Sequence, residues 1–148
     1  MKHQKWTKRD PIKNYFPVPN ELFLLGLSPG ELAVYSYLLF CEDRSTYQCW
    51  PSFKTIGRAI GMSPNTVRKY VRMLEERGLI TTEPTSVTTK GGQKQNRNLL
   101  FTIRPIQEAV EQFYKQQLEK ISLDVQRKKY RVRELSRNAL RDRLCGLV

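Results

Sequence analysis

The sequence has little of what metal sites and disulfide frameworks need. It contains one histidine, His3, and three cysteines, Cys41, Cys49 and Cys145, with no Cys-x-x-Cys pair and no Cys/His cluster. Zinc sites require such clusters, and a disulfide framework requires an even number of cysteines, so we expect neither. Cys41 and Cys49 lie among apolar residues and are predicted to be small core residues in a reducing cytosol.

Catalytic and membrane signals are also missing. The carboxylates are scattered, without a pair at a useful spacing that lacks a neighbouring base, and there is no Gly-rich phosphate loop or G-x-S-x-G. No stretch approaches the roughly eighteen apolar residues of a membrane span, and no basic segment precedes an apolar export signal. We therefore expect a cytoplasmic protein that is not an enzyme and binds no cofactor.

Positive charge is what the sequence has in excess, and it is unevenly distributed. The formal net charge of the 148 residues is +12. Residues 20–53 carry one base against four acids, whereas residues 54–104 carry ten bases against three acids. Residues 1–19 and 105–148 each have a net charge of +4. Positive charge concentrated on particular segments is typical of a surface that binds nucleic acid.

Capping signals predict three helices. Ser28-Pro29-Gly30-Glu31 is a capping box with proline at the first helical position, and apolar residues follow it at helical spacing. Ser52 begins a second, shorter helix, which Gly61 ends. Ser63-Pro64 begins a third helix, which ends near Gly78.

The remaining segments predict a small sheet and a long helix. QCW before Pro51 reads as a short strand, and two Thr-, Val- and Leu-rich runs flank Gly91-Gly92 as a β-hairpin with a long tip. From Pro105 the pattern is helical almost to the end. This order is that of a winged helix-turn-helix, a mainly α fold with a small β-hairpin. The predicted domains are a basic arm (1–19), the winged helix-turn-helix (20–104) and a helical extension (105–148).

The third predicted helix, residues 63–77, separates its apolar and basic side chains. At about 100° per residue, Val67, Val71 and Leu74 share one stripe with Tyr70. The far side carries bases and an asparagine, whose amide suits adenine. A polar face alone is typical of any surface helix, but a recognition helix enters the major groove with its N-terminal residues against base edges. The predicted DNA contacts on this helix are Ser63, Asn65, Thr66, Arg68, Lys69 and Arg72.

The predicted wing, residues 85–98, holds Lys90, Lys94 and Arg97 around the Gly91-Gly92 turn. Such a loop lies along the DNA backbone or in the neighbouring minor groove, where a cationic side chain is attracted to a narrow groove. The alternative is a solvated hairpin tip whose charge maintains solubility. We favour contact with phosphates.

Two stretches resemble known families. WPSFKTIGRAIGMSPNTVRKYVRMLEERGLI resembles the helix-turn-helix core of bacterial GntR-type regulators. YFPVPNELF, LGLSPGELAVYSYLLFC and QCWPSFKTIG together resemble a bacterial helix-turn-helix family related to the DNA-binding halves of plasmid replication initiators, over roughly residues 15–104. The resemblance implies that the six polar residues of the third helix read bases and phosphates, and that Lys54 and Thr55 meet the backbone.

The predicted function is sequence-specific binding of double-stranded DNA, as a bacterial transcriptional regulator associated with the nucleoid. The alternatives are a plasmid- or phage-type replication initiation or accessory factor, and a winged-helix module that binds protein. GntR-type regulators carry a C-terminal ligand-binding domain, whereas this chain has only some forty residues of predicted helix there. We therefore expect no small-molecule effector.

The C-terminal helix carries an apolar seam that predicts a weak coiled coil. Its residues follow a 3–4 spacing that Lys128 interrupts. A lone helix is marginal in water, so the seam favours a homodimer. The run RKKYRVR, residues 127–133, either attracts phosphates or is a solvated face, and the arm is either a loose tail or lies on DNA. The seam residues are Leu118, Ile121, Val125, Val132, Leu135 and Ala139.

Overall fold

In the computed structural model, residues 15–146 are described, and they divide into two compact units, one ending at Val110 and the other beginning at Glu111. The order of elements is a mainly α fold with a small sheet, which confirms the predicted winged helix-turn-helix with a long C-terminal helix. Most of the predicted arm, residues 1–14, lies outside the described residues. The elements are a 3₁₀ turn (Asn20–Leu24), α1 (Pro29–Cys41), β1 (Gln48–Cys49), α2 (Phe53–Ile60), α3 (Pro64–Glu76), β2 (Ile80–Glu83), β3 (Ser86–Thr88), β4 (Lys94–Asn96), β5 (Leu100–Ile103) and α4 (Ile106–Cys145).

Helix α1 begins with the predicted capping box, which also contributes to tertiary structure. The Glu31 N–H donates to Ser28 Oγ at 3.3 Å, and the Ser28 N–H donates to Glu31 Oε2 at 2.8 Å. The Glu31 side chain is buried, and Arg77, just after α3, donates from Nε to Oε1 at 2.6 Å. The cap of α1 is therefore tied to the end of α3.

The pKa of Glu31 reflects this pairing. Burial alone would raise it, but the Ser28 N–H and the Arg77 guanidinium stabilise the carboxylate and bring the pKa below its ordinary value. Arg77 also donates from Nη1 to the Leu25 carbonyl at 2.9 Å, so the guanidinium satisfies the backbone before α1 as well.

The core of the first unit lies between α1, α3 and the three-stranded sheet. The first turn of α1 lies directly against α3. A Cβ added at Gly30 would be 2.2 Å from the Tyr70 ring. Fully buried side chains come from these three layers and also from α2 and the 3₁₀ turn. The largest of them are Tyr35, Phe101, Leu22, Leu38, Ile56, Leu74, Leu79 and Ile80.

The hairpin forms two separate ladders. Strands β1, β5 and β2 make an antiparallel sheet in that order, with Thr82 opposite Phe101, and β3 pairs with β4 further along the wing. Pro84 lies between β2 and β3, where its missing N–H cannot join a ladder. Across this break the Arg97 N–H still donates to the Thr85 carbonyl at 2.7 Å. The predicted hairpin is confirmed, with its wing as a distinct two-stranded ribbon.

The second unit, from Glu111 to Gly146, is helical almost throughout. Every side chain from Leu118 to Gly146 is exposed. The first turn of α4 differs, because Ile106 and Ala109 are buried within the first unit. No helix in residues 15–146 is long and apolar enough to cross a membrane.

Candidate nucleic-acid interface

The turn between α2 and α3 is built around two glycines. Gly61 ends α2 with a left-handed φ of 74°, and the Met62 N–H donates back to the Gly57 carbonyl at 2.8 Å. A Cβ on Gly57 would lie 2.3 Å from the Met62 carbonyl oxygen. Only a residue without a side chain allows the turn to approach α2 so closely. The turn before α3 is therefore packed directly against α2.

Helix α3 presents two chemically different faces. Val67, Val71 and Leu74 are buried, which confirms the predicted apolar stripe. Opposite them lies a face that we call the basic face of α3. Its members, all exposed, are Asn65, Arg68, Lys69 and Arg72.

Aromatic rings support two of the cations on this face. The Arg68 guanidinium carbon lies 5.5 Å from the centroid of the Phe53 ring on α2, and the Lys69 ammonium lies 5.9 Å from the Tyr70 ring. Both distances are within the range of a cation–π contact. These rings hold the charged groups near the helix surface, so less side-chain freedom is lost when an anion binds.

Two serines cap the helices of the motif in the same way. Ser63 Oγ accepts the Thr66 N–H at 3.2 Å, and Ser52 Oγ accepts the Thr55 N–H at 3.0 Å. In each pair the two hydroxyls are also 2.8 Å apart. Of the predicted contacts, Ser63 and Thr66 therefore already stabilise the start of α3, and Thr66 is half-buried. Their hydroxyls can offer DNA only the hydrogen-bonding capacity that remains.

Helix α2 adds charge beside the motif. Lys54 and Thr55 are exposed, as a contact with the DNA backbone requires. Arg58, which the sequence reasoning missed, is exposed one turn further along the same helix. Because residues i and i+4 share a helix face, the spacing from Lys54 would have identified it.

The wing carries its cations on an exposed ribbon. Lys90, Lys94 and Arg97 are all exposed, and Gly92 makes the tight turn with a φ of 79°. At the root of the wing, Trp50 is 55% exposed and lines a hollow with Arg97. Trp50 is a second residue that the sequence reasoning missed, since nothing local places it beside the wing.

The Glu75 side chain, near the C-terminal end of α3, is engaged in holding the fold together. Glu75 accepts the Thr82 N–H at 3.1 Å and also the Thr82 hydroxyl, so it connects α3 to β2. In the described part of the chain, no group of three or more histidine, cysteine or acidic residues could hold a metal ion. The exposed cations of α2, α3 and the wing, together with the Asn65 amide, suit phosphates and base edges.

Sequence comparison identifies the motif directly, since residues 25–80 match the family model of a helix-turn-helix domain. Residues 25–80 form a helix-turn-helix domain. The match ends at the first residue of β2, so it contains α2, α3 and their turn but not the wing. No curated protein is significantly similar in sequence to this chain.

The solved structures to which this chain is similar are distant from it. A possible transcriptional regulator from Methanosarcina mazei Go1 is 16% identical, with a TM-score of 0.46, over 69% of this chain and 79% of its own. A MarR family transcription regulator is 14% identical, with a TM-score of 0.41, over 85% and 79%. A probable transcriptional regulator from Pseudomonas aeruginosa is 24% identical, with a TM-score of 0.35, over 83% and 80%.

Proposed function

We propose that this protein binds double-stranded DNA in a sequence-dependent manner and regulates transcription at the nucleoid. One observation carries the proposal: α3 follows a helix-turn-helix turn and exposes Asn65, Arg68, Lys69 and Arg72 opposite its buried stripe. A helix of this kind fits the major groove, where asparagine pairs with adenine and arginine with guanine. Asn65 and Arg68 would then contribute specificity, and Lys69 and Arg72 would also contact phosphates.

The cations outside α3 supply affinity without reading sequence. Lys54, Thr55 and Arg58 on α2 would contact the phosphate backbone. Lys90, Lys94 and Arg97 on the wing would contact the backbone or the neighbouring minor groove. Because each neutralised phosphate releases counterions, this surface would make binding steeply dependent on salt.

Two resemblances bear on the role of the bound DNA: that of residues 50–80 to GntR-type regulators, and that of roughly residues 15–104 to a family related to replication initiators. The same DNA-binding geometry serves transcription and replication, so we propose transcriptional regulation first and a replication accessory role as the alternative. The location of high-affinity sites decides between them: sites beside promoters favour the first, and sites clustered at a replication origin favour the second.

We also propose that two copies associate through the second unit, as the exposed apolar seam of α4 suggests. Leu118, Ile121, Val132 and Leu135 are each at least 59% exposed in the single chain. A helix with such a stripe gains stability by covering it with another helix. A dimer would also present two copies of α3 to two half-sites.

Selection from a random pool of duplex DNA, followed by a salt titration of the retained sequences, tests the proposal. We expect enrichment of a defined site, whose binding weakens steeply with salt. Arg72→Ala should weaken binding by about tenfold, the effect of losing one good base or phosphate contact. Lys120→Ala, on the exposed second unit outside residues 127–133, is the control and should bind like the unmodified protein.

Two results would contradict the proposal. If no duplex is retained even at low salt, the basic face of α3 does not bind DNA. If Arg72→Ala binds normally while its fold is intact by circular dichroism, then α3 is not the reading element.

A further inference from the structure

The residues along the exposed seam of α4 indicate the orientation and register in which two such helices would pair. From Tyr114 onward, seam positions alternate in steps of four and three residues, which is the heptad spacing of a coiled coil. The stretch from Tyr114 to Ala139 is about 38 Å long at 1.5 Å per residue. Two seam positions are charged and one is small. In order, the seam is Tyr114, Leu118, Ile121, Val125, Lys128, Val132, Leu135, Ala139 and Asp142.

A parallel pair of helices would place identical seam residues opposite each other. Lys128 would then face Lys128, and Asp142 would face Asp142, which brings like charges together in a partly desolvated layer. Ala139 would face Ala139 and leave a gap, while two Tyr114 rings would crowd the other end. Both charged layers and the smallest layer are therefore unfavourable in this orientation.

An antiparallel pair relieves the conflicts at Lys128, Ala139 and Tyr114 in one register, and its remaining acidic layer, Asp142 opposite Glu111, lies at the two ends of the coil. The large Tyr114 ring lies opposite the small Ala139. In the next two layers aliphatic residues lie opposite aliphatic residues, and in the innermost layer a valine lies opposite a lysine. Lys128 then lies against Val125, so its methylenes can cover the valine while its ammonium reaches solvent. The opposed residues in this register are Tyr114 with Ala139, Leu118 with Leu135, Ile121 with Val132, and Val125 with Lys128.

The flanks of the seam are compatible with the same register. Asp124 of one copy would lie beside Arg131 of the other, and Gln117 beside Asn138. In the single chain Asp124 is 3.9 Å from Arg127, and both side chains are exposed. Such a pair is worth little, so Asp124 can exchange it for a partner across the interface. A parallel pair would offer Asp124 a lysine as well, so it is the seam that decides the orientation.

We infer that two copies of this chain pair their second units as an antiparallel two-stranded coiled coil whose twofold axis passes between residues 126 and 127. The inference rests on the proposed homodimer and adds its orientation and register. The two copies of Glu111 would lie at opposite ends, about 46 Å apart along the coil at 1.5 Å per residue. In a parallel pair they would lie side by side.

Mixed cysteine cross-linking tests the orientation. In full-length protein with Cys145→Ser, Leu118→Cys is prepared in one copy and Leu135→Cys in a second copy of different mass. The two are mixed, equilibrated under reducing conditions and then oxidised. The antiparallel register predicts the mixed disulfide dimer as the main product, with little self-linked product from either variant alone. Both substitutions lie on exposed positions, and circular dichroism checks that each variant folds.

The other outcomes separate the two levels of the proposal. Self-linked dimers of each variant alone would show a parallel pair, which overturns the orientation but leaves the homodimer intact. A protein that sediments as a monomer at all concentrations and gives no cross-link would overturn both. DNA binding is measured independently on the unoxidised protein, so its loss would bear only on the proposed DNA-binding function.

A matched pair of glutamate substitutions gives a second, disulfide-free test. Val125→Glu places a carboxylate opposite Lys128 in the antiparallel register, so the dimer dissociation constant should stay within about tenfold of the original, the equivalent of about 1.4 kcal/mol. Ile121→Glu faces Val132 and should abolish dimerisation at micromolar concentration. In a parallel pair both substitutions would oppose like charges, so equal loss of the dimer from both would overturn the inferred register.

Discussion

The two units differ in what determines their structure. In the first unit, side chains are placed by contacts with residues far away in the chain, as Glu31 is by Arg77. In the second unit, the described side chains from Leu118 to Gly146 are all exposed, and the side-chain contacts described there are local ones such as Asp124 with Arg127. The first unit therefore buries its own core, whereas the second carries the exposed apolar seam for which we propose a second copy as partner.

The cations of the two units differ in the same way. In the first unit, the cations of α3 lie opposite its buried stripe, and Arg68 is supported by the ring of Phe53. In the second unit, residues 127–133 carry five bases around an unsupported helix. Segregated, supported charge favours a specific site, and dispersed charge favours general attraction to a polyanion. Specificity should therefore reside in the first unit.

The largest difference that we expect between the two units is in how much an ion pair contributes to stability. Arg77→Met leaves the buried Glu31 without its cation, and we expect a loss of about 3 kcal/mol in the free energy of unfolding, typical of a broken buried pair. Arg127→Met, in the exposed pair with Asp124, should cost less than about 0.5 kcal/mol. Urea denaturation measures both. Equal effects would show that the Glu31–Arg77 pair does not hold α1 to α3.

The pH dependence of the same pair has a defined sign. The folded-state pKa of Glu31 lies below its ordinary value of 4.5. Its contribution to stability is therefore present above that value and is lost as pH falls through the lowered pKa. The difference between the unmodified protein and Arg77→Met should accordingly shrink in acid, and a difference that grows in acid would contradict this account.

Replacing glycine by alanine should reduce stability more in the turn between α2 and α3 than in the wing, and this difference should be smaller than that between the two ion pairs. Gly57→Ala directs a methyl group at the Met62 carbonyl, and we expect a loss of about 2 to 3 kcal/mol, as for other overpacked sites. Gly91→Ala meets no atom within 4 Å and should be nearly neutral. Thermal unfolding of the two variants provides the comparison. A neutral Gly57→Ala would mean that the turn can move away from α2 at little cost.

Replacing one valine in each unit should distinguish the contribution of core packing from that of the proposed association between two copies. Val71→Ala removes buried methyl groups and should cost about 1 to 3 kcal/mol, as truncations of aliphatic core residues do. Val132→Ala should leave the unfolding of the first unit unchanged and instead weaken self-association. Denaturation followed at two protein concentrations distinguishes these effects. If Val132→Ala destabilises the first unit in the monomer, the two units are not independent.

The smallest change in stability that we expect is that of replacing Glu42, and the size of this change depends on pH. This residue lines an apolar cavity of about 460 Å³, and its Oε2 atom is buried without a hydrogen-bond partner. Burial raises its pKa above 4.5, although Arg44 partly opposes the shift. Its contribution to stability is therefore present below the ordinary pKa and is lost as pH rises through the raised pKa.

Glu42→Gln should consequently stabilise the protein at neutral pH and lose this advantage in acid. The midpoint of thermal unfolding at several pH values measures the effect. Glu119→Gln, at an exposed position of the second unit, is the control and should match the unmodified protein throughout. A Glu42→Gln variant that is less stable at neutral pH would show that the carboxylate has a favourable partner there.

Local chemistry explains which features were predictable from sequence. Ser28, Ser52 and Ser63 each cap a helix through a residue three positions later, so their signals lie within one turn of sequence. The buried stripe of α3 follows from the helical repeat alone. The basic face of α3, as a set of exposed side chains, was predictable for the same reason, while its contact with DNA stays a prediction.

Features that depend on distant neighbours were not predictable in this way. Glu31 and Arg77 are 46 positions apart in the sequence, and Asn98, which donates to the Trp50 carbonyl, is 48 positions from Trp50. The close approach at Gly57 is only five residues from its partner, yet it depends on how the turn folds back on α2.

The sequence by itself determined where the helices begin, which stripe of α3 is apolar and which residues form the seam of α4. These properties depend on spacing within a few turns. Only the tertiary structure decided that the cap of α1 is tied to α3, that the wing is a separate ribbon, and that the seam of α4 is left uncovered in a single chain. Those outcomes depend on which surfaces are buried against each other, and burial is a property of the packed chain rather than of any one segment.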